Sequence, residues 1–360
     1  MQITNLFKKL FFSFFFIFSL GTYAQALSLH KTSVVLNAPW GMTWLDDNHL
    51  LITQKSGEIF MVNTQDHSQT SIKHNIPSVQ YGQGGMLDII SEENNVWVTC
   101  SIEKDGKHTT AIYHAELSGD ALVNEKKIYE ALPYIKSPYH FGSRLEIKGD
   151  YLYASIGERG EGMIAQDPTN SIGTIIKLHK NGDIPDDNPY VDNPNWLPEI
   201  YQIGVRNPQG MAINPKNNKI FFSNHGPRGG DSIGLVKFAG NYGWKKIAWG
   251  GTEYIGKKIG KSALNDIYDK PIKIWVPSIG IGNLAFYEGK TFPNWAGDLL
   301  VTATNAEMLI RLSFKNGKIN REEFILKNEI GRIRDLEIDS NGDIYLISDE
   351  FNSKLWKITK

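Results

Sequence analysis

The sequence predicts an all-β fold, and within that class a six-bladed β-propeller. Two short apolar strands joined by a polar turn recur six times along the chain. Alternating runs follow one another roughly every ten residues, and no stretch carries a long amphipathic helical period. A sandwich would need fewer strands and would not explain the recurring phase.

The first 24 residues read as an export signal. Lys8 and Lys9 precede an apolar run at 10–20, and Thr22, Tyr23 and Ala24 place small residues near a cleavage point. The run is too short for a confident membrane span. The mature propeller then covers residues 25–360, and a periplasmic or secreted location follows. Cys100 is the single cysteine, so the core rather than a disulfide framework must stabilise the exported chain.

The strand around 33–36 is expected to complete the last blade and close the ring without an exposed edge. The six strand pairs then follow in order: 41–45 with 50–53, 85–90 with 96–100, 142–147 with 151–155, 210–214 with 219–223, 283–287 with 298–302, and 334–338 with 343–348. Each opens on a turn or glycine, and each second strand ends near Ser or Thr. A third strand follows most pairs, as at 57–62, 174–178 and 354–358. The longest insertions, at 157–170, 182–197 and 240–279, are glycine- and proline-rich loops of the kind that carry function on a rigid scaffold. Lys and Arg number 38 against 39 Asp and Glu, scattered without a basic block. That excludes an electrostatic nucleic-acid partner and a polybasic membrane surface, so no membrane insertion is expected after signal cleavage.

Polar residues recur in phase, just before or within the first strand of each repeat: Gln83, His140, the set Arg206, Asn207 and Gln209, Ser278, and the pair Arg332 and Arg334. In a propeller these positions face the axis. Three arginines and an imidazole in one concave site call for an anionic guest, because unpaired cations there are costly to desolvate. Singly each has a plainer reading, such as Arg332 or Arg334 pairing with Asp335. Arg206-Asn207-Pro208-Gln209-Gly210 and His225-Gly226-Pro227-Arg228-Gly229-Gly230-Asp231 offer a planar guanidinium fork together with bare carbonyls that suit a hard cation such as calcium. Two turns with no ligand would account for that window equally well. His140 is the natural general base, with Glu158 placed to hold its other ring nitrogen. Asp183, Asp186 and Asp187 lack EF-hand spacing and read as a turn.

In order and combination, these motifs resemble one family over nearly the whole mature chain: the soluble sugar dehydrogenases that use pyrroloquinoline quinone (PQQ). The resemblance rests on Pro39-Trp40-Gly41-Met42, Gly82-Gln83-Gly84-Gly85, the run from His140 to Leu145, Ala165-Gln166-Asp167, and the run from Gly182 to Pro189. It continues through the two glycine-rich stretches above, Asn241-Tyr242-Gly243-Trp244 and Arg332-Ile333-Arg334-Asp335. It implies a six-bladed propeller that oxidises an aldose sugar substrate at the anomeric carbon and passes electrons to an external acceptor. By the same resemblance His140 takes the hydroxyl proton, Glu158 is its acidic partner, and Arg206 and Asn207 lie near the reactive carbonyl of the cofactor. Arg332 and Arg334 would bind cofactor carboxylates, Gln83 cofactor or substrate, and the carbonyls of Gly226 and Pro227 calcium.

Two departures stand out. Asn305 aligns with a cofactor-contacting lysine of the family, a loss of roughly 1.5–3 kcal/mol of charge-assisted contact. Ser232 follows Asp231 where the family tends to carry glutamate, which bears on a second, structural calcium site. Two other readings stay open: a non-catalytic propeller that binds protein or sugar, and a calcium-dependent propeller lactonase.

Overall fold

A computed structural model describes residues 27–260 and 267–360, so the export signal read at 1–24 lies outside the described residues. The chain forms six sheets around a central axis. Strand β1 (Ser28–Leu36) opens the chain. The first blade is β2 (Pro39–Trp44), β3 (His49–Gln54), β4 (Ile59–Asn63) and β5 (Gln69–Ile72), and the second is β6 (Met86–Glu92), β7 (Asn95–Lys104), β8 (Lys107–Ser118) and β9 (Ala121–Glu130). The third blade holds β10 (Gly142–Lys148), β11 (Tyr151–Ile156), β12 (Thr174–His179) and β13 (Ile200–Ile203). The fourth holds β14 (Pro208–Asn214), β15 (Lys219–Asn224) and β16 (Asp231–Leu235); β17 (Gly240–Asn241) pairs back in parallel onto β13, and β18 (Lys273–Trp275) completes the fourth sheet. The fifth blade is β19 (Ile281–Phe286), β20 (Leu299–Ala303), β21 (Met308–Lys315) and β22 (Lys318–Ile325). The sixth takes β23 (Ile333–Ile338), β24 (Ile344–Ser348) and β25 (Ser353–Thr359), with β1 as its outer strand, as expected. Joining the two ends of the chain in one blade closes the ring.

Burial follows the strand period. Second strands read as near-continuous apolar runs because both faces meet a neighbouring blade; β3, β11 and β20 are buried along almost their whole length. An apolar cluster fills each junction between blades, from Leu51, Ile59, Met86 and Val98 at the first junction to Leu36, Met42, Ile52 and Ile347 where the ring closes. Cys100 is fully buried in the first of these clusters, and burial pushes its thiol up to about 12. Among the described residues, no helix is long and apolar enough to cross a membrane.

The six inner strands, β2, β6, β10, β14, β19 and β23, pack side by side around the axis. In all six blades the register between the inner and second strand slips once near the inner strand's start. Such a bulge re-aims the side chains beside it. The recurrent Ser or Thr of the second strand lies at this level and reaches the next blade. Thr53 Oγ1 donates to Leu87 O (2.5 Å), Thr99 to Ser143 O (2.8 Å), Ser155 to Pro208 O (3.1 Å), Ser223 to Gly282 O (2.6 Å) and Thr302 to Arg334 O (3.1 Å).

Below the bulges an ionic knot closes the axis. Arg144 Nη1 donates to Asp88 (2.6 Å) and Asp335 (3.3 Å), and its Nε donates to Gln209 O (3.1 Å). Asp335 also accepts from Met42 N (2.7 Å) and from the amide of Asn283 (2.5 Å). Asp335 is therefore not the partner of Arg332 or Arg334; it is fully buried and engaged with Arg144. Removing one member would leave the others charged and buried, so Arg144→Met should cost about 3–5 kcal/mol of stability. Urea unfolding of the full chain measures this, and a loss within experimental error of zero would contradict it.

Candidate active site

At the bulged end of the axis the structure has a cavity of ≈ 450 Å³. Two sets of strand ends build it. The starts of the inner strands bring Trp40, Gln83, His140, Arg206, Asn207, Gln209, Arg332 and Arg334. The ends of the second strands bring Lys55, His225, Thr304, Asn305 and Asp349. Antiparallel neighbours place a strand's start beside its partner's end, so both sets fall on the same rim. All the residues anticipated in phase, Ser278 included, meet here. Glu158 stands immediately behind His140, and the loop residues Gly226 and Pro227 also line the cavity.

His140 is held at three points. Its backbone N–H donates to Gln83 Oε1 (2.8 Å), its carbonyl accepts from Arg159 N (3.2 Å), and its Nδ1 hydrogen-bonds Glu158. A second Glu158 oxygen accepts from Gly162 N. Gly157 is obligatory between these elements, because a Cβ there would sit 2.0 Å from the His140 carbonyl oxygen. With Glu158 ionised, Nδ1 carries the proton and Nε2 keeps a free lone pair toward the cavity. Burial lowers the pKa of His140; the bond to Glu158 opposes this, and the Arg206 charge adds to the lowering. In Glu158 burial acts upward but is outweighed by His140, Gly162 N and Arg206, so its carboxyl stays below the usual range.

The rest of the wall is cationic: Lys55, Arg206, Arg228, Arg332 and Arg334 face one carboxylate, Asp349. Arg206 Nη1 donates to His225 O (3.2 Å), and its guanidinium lies 5.4 Å from the Trp244 ring centroid. Asn207 is set by two bonds, its N–H to Asn224 Oδ1 and its Oδ1 from Gly142 N, both 3.0 Å. Arg334 donates to Gln209 and to Asp349, yet its buried Nε has no partner among the described residues. Burial acts to raise Asp349, but the charge and hydrogen bond of Arg334 outweigh it and hold the carboxyl at about 2. Lys55 Nζ donates to Gly82 O (3.3 Å), and burial followed by the charges of Arg334 and Arg332 lowers its pKa against the pull of Asp349. The pair of Arg332 with Asp349 is long, at 3.7 Å.

The loop bearing Gly226 and Pro227 is pinned by fully buried Asp231. Asp231 accepts from Gly226 N (2.7 Å) and from the N–H groups of Ile279, Gly280 and Ile281 (2.7–3.0 Å). Among the described residues, no cluster of three or more His, Cys, Asp or Glu is placed to hold a metal. A cation here would rely on backbone carbonyls and ligand oxygens. Ser232 is buried in β16 and registers with Ile274. Asp187 engages Lys177 Nζ (2.6 Å), in keeping with a structural turn at 183–187.

Lys55 and Asp349 were not anticipated from the sequence. The available signal was positional: each directly follows a second strand, as Glu158 lies two residues past the end of its own. The histidine environment generates one prediction. The His140 imidazole should titrate below the ordinary 6.5, and Glu158→Gln should depress it further by removing the opposing charge. NMR titration of the histidine ring signals checks both, and a rise in the variant would refute the assignment.

The profile of the family described as Glucose / Sorbosone dehydrogenase matches residues 36–357. The chain is 33% identical over 337 residues to the aldose sugar dehydrogenase YliI of Escherichia coli strain K12, covering 90% of each chain. A crystal structure of the soluble aldose sugar dehydrogenase from Escherichia coli, in its apo-form, superposes with a TM-score of 0.89 at 31% identity, over 93% of this chain and 99% of that one. Quinoprotein glucose dehydrogenase B of Acinetobacter calcoaceticus is 30% identical over 250 residues, which is 59% of this chain and 51% of that protein. The PQQ-bound aldose sugar dehydrogenase of Streptomyces coelicolor shares the fold, with a TM-score of 0.74 at 22% identity over 93% of this chain and 98% of that one.

Proposed function

The chain belongs to the glucose/sorbosone dehydrogenase family of oxidoreductases, and on that premise we propose that it oxidises aldose sugars at the anomeric carbon to lactones, using PQQ and calcium. The observation that carries this reading is a histidine–carboxylate pair opening onto a pocket whose other ionic groups are almost all cationic.

The residues present fit the cofactor. PQQ is flat and carries three carboxylates. The pocket sets five cations against one ionised aspartate and leaves the Nε donor of Arg334 without a partner among the described residues. Planar guanidinium forks suit carboxylates, and Gly226 and Pro227 present carbonyl oxygens of the kind a calcium ion takes. The word quinoprotein in the name of the Acinetobacter relative supports the same reading. When bound, PQQ supplies the hydride acceptor and calcium polarises its quinone.

The protein's own residues then divide as follows. His140 Nε2 accepts the proton of the anomeric hydroxyl as the C–H bond gives up its hydride and the C=O bond of the lactone forms. Glu158 fixes the tautomer and stabilises the imidazolium that results. Arg206 and Asn207, which line the cavity with His140, would offer hydrogen-bond donors to the reactive carbonyl of a bound quinone. Arg332, Arg334 and Lys55 hold carboxylates, and Gln83 orients His140 through its backbone. Lys55 supplies a cation that the exposed Asn305, which also lines the cavity, does not. Electrons leave to an external acceptor. Residues 1–24 direct the chain out of the cytoplasm, to a periplasmic or secreted location, as their lysine-then-apolar pattern supports.

Asn305 favours one competing reading, a propeller that keeps the fold without binding the cofactor. Titration of the mature protein with PQQ in calcium buffer, following aldose-dependent dye reduction, separates the two. Saturable turnover that is lost on calcium chelation supports the dehydrogenase, and absence of PQQ binding refutes it. His140→Ala should lower turnover by about 10²–10⁴-fold while PQQ still binds. Arg334→Ala and Lys55→Ala should instead raise the PQQ concentration needed for half-saturation, by roughly tenfold or more for each lost charge-assisted bond. Direct binding titrations would show it.

A further inference from the structure

Arg159 is completely enclosed, and among the described residues it has no carboxylate within ion-pair distance. A buried guanidinium is expensive unless every donor is satisfied, so where its bonds go is informative. Its Nε donates to Tyr139 O (2.9 Å), its Nη1 to His108 O (2.8 Å) and its Nη2 to Ser137 O. Its backbone N–H donates to His140 O (3.2 Å), and its guanidinium lies over the Phe141 ring, 3.4 Å from the centroid. The contacts cover the segment from Ser137 to Phe141, with His140 inside it.

That segment needs an external hold. His140 has φ 53°, a left-handed conformation that side chains with a Cβ disfavour by about 1–2 kcal/mol. It lies in a loop rather than a ladder, beside Tyr139, whose side chain is exposed. A rigid fork bridging several carbonyls restrains such a turn where a flexible ammonium would not.

We propose that Arg159 is a positioning residue for His140: its guanidinium clamps the segment from Ser137 to Phe141 in the turn that presents His140 Nε2 to the cavity. This rests on the reading of His140 as the general base. The charged groups that face His140 are Glu158, Arg206 and Arg159, with buried His225 nearby. The negative charge of Glu158 favours the imidazolium, whereas Arg206 and Arg159 oppose it. Loss of the Arg159 charge therefore moves His140 toward protonation at a given pH.

The test compares Arg159→Met with Arg159→Lys in the full mature chain. Two readouts are taken: NMR titration of His140 without cofactor, and binding and turnover with PQQ and calcium. Arg159→Met should raise the His140 pKa, move the acid limb of the kcat profile upward and lower kcat by roughly 10–100-fold, with PQQ affinity little changed. Arg159→Lys should keep the His140 titration near that of the parent, because the charge stays, while kcat still falls because the fork is lost. A parental His140 titration and parental kcat in Arg159→Met overturn the proposal. If that variant does not fold, Arg159→Lys decides: reduced kcat with intact PQQ binding supports the clamp, and parental kcat overturns it. If the parent oxidises no sugar, the proposed function fails, and cofactor-free NMR of Arg159→Lys still tests the clamp: displaced His140 backbone and ring signals support it, and parental signals overturn it.

Discussion

The ionic knot of Asp88, Arg144 and Asp335 is the constraint on which the rest of the structure depends. It draws one group from every blade to the axis: Met42 N from the first, Asp88 from the second, Arg144 from the third, Gln209 O from the fourth, Asn283 from the fifth and Asp335 from the sixth. Apolar clusters glue neighbouring blades pairwise and do not by themselves define a centre. Directional bonds in a low-dielectric interior do, and a partly satisfied knot would be worse than none. The hydroxyl contacts from second strands to the next blade's inner strand repeat this logic one level higher, at the bulges.

The knot also separates two electrostatic environments. Above it, with Trp40 between, the cavity is cationic; the Arg144 guanidinium lies 4.6 Å from the Trp40 ring centroid and that of Arg334 6.0 Å. Below it the axis widens into a second space of ≈ 580 Å³ whose wall includes Glu146, Glu288, Glu337 and Asp339. Burial, with the nearby Asp88 charge, pushes the carboxyl of Glu146 up to about 8; burial and then Asp335 raise Glu337 well above its ordinary range. The axis is thus polarised, with its excess positive charge at the end where His140 stands and where a tricarboxylate would be attracted.

Much of this was legible in the sequence because it rests on period and phase. Alternation marks strands, six recurrences mark blades, and the polar positions before Met86, Gly142, Pro208 and Ile333 all reach the cavity. The closing strand β1 was legible because a ring cannot leave an edge. Lys55, Asp349 and Arg159 were not. Each follows a second strand, where a charged residue resembles any turn residue until the antiparallel partner is known. Asp335 was misleading for a related reason: its neighbours in sequence are arginines, yet alternation turns its side chain inward to Arg144 while Arg334 turns to Asp349.

By itself the sequence determined the six-bladed class, the repeat boundaries, the pairing of His140 with Glu158, and the family, because these depend on local pattern and on motif order. Only the tertiary structure decided which charges are paired, which donor is left free and what holds His140 in a left-handed turn. Those properties arise from side chains far apart in the chain, and closure of the ring fixes their separation.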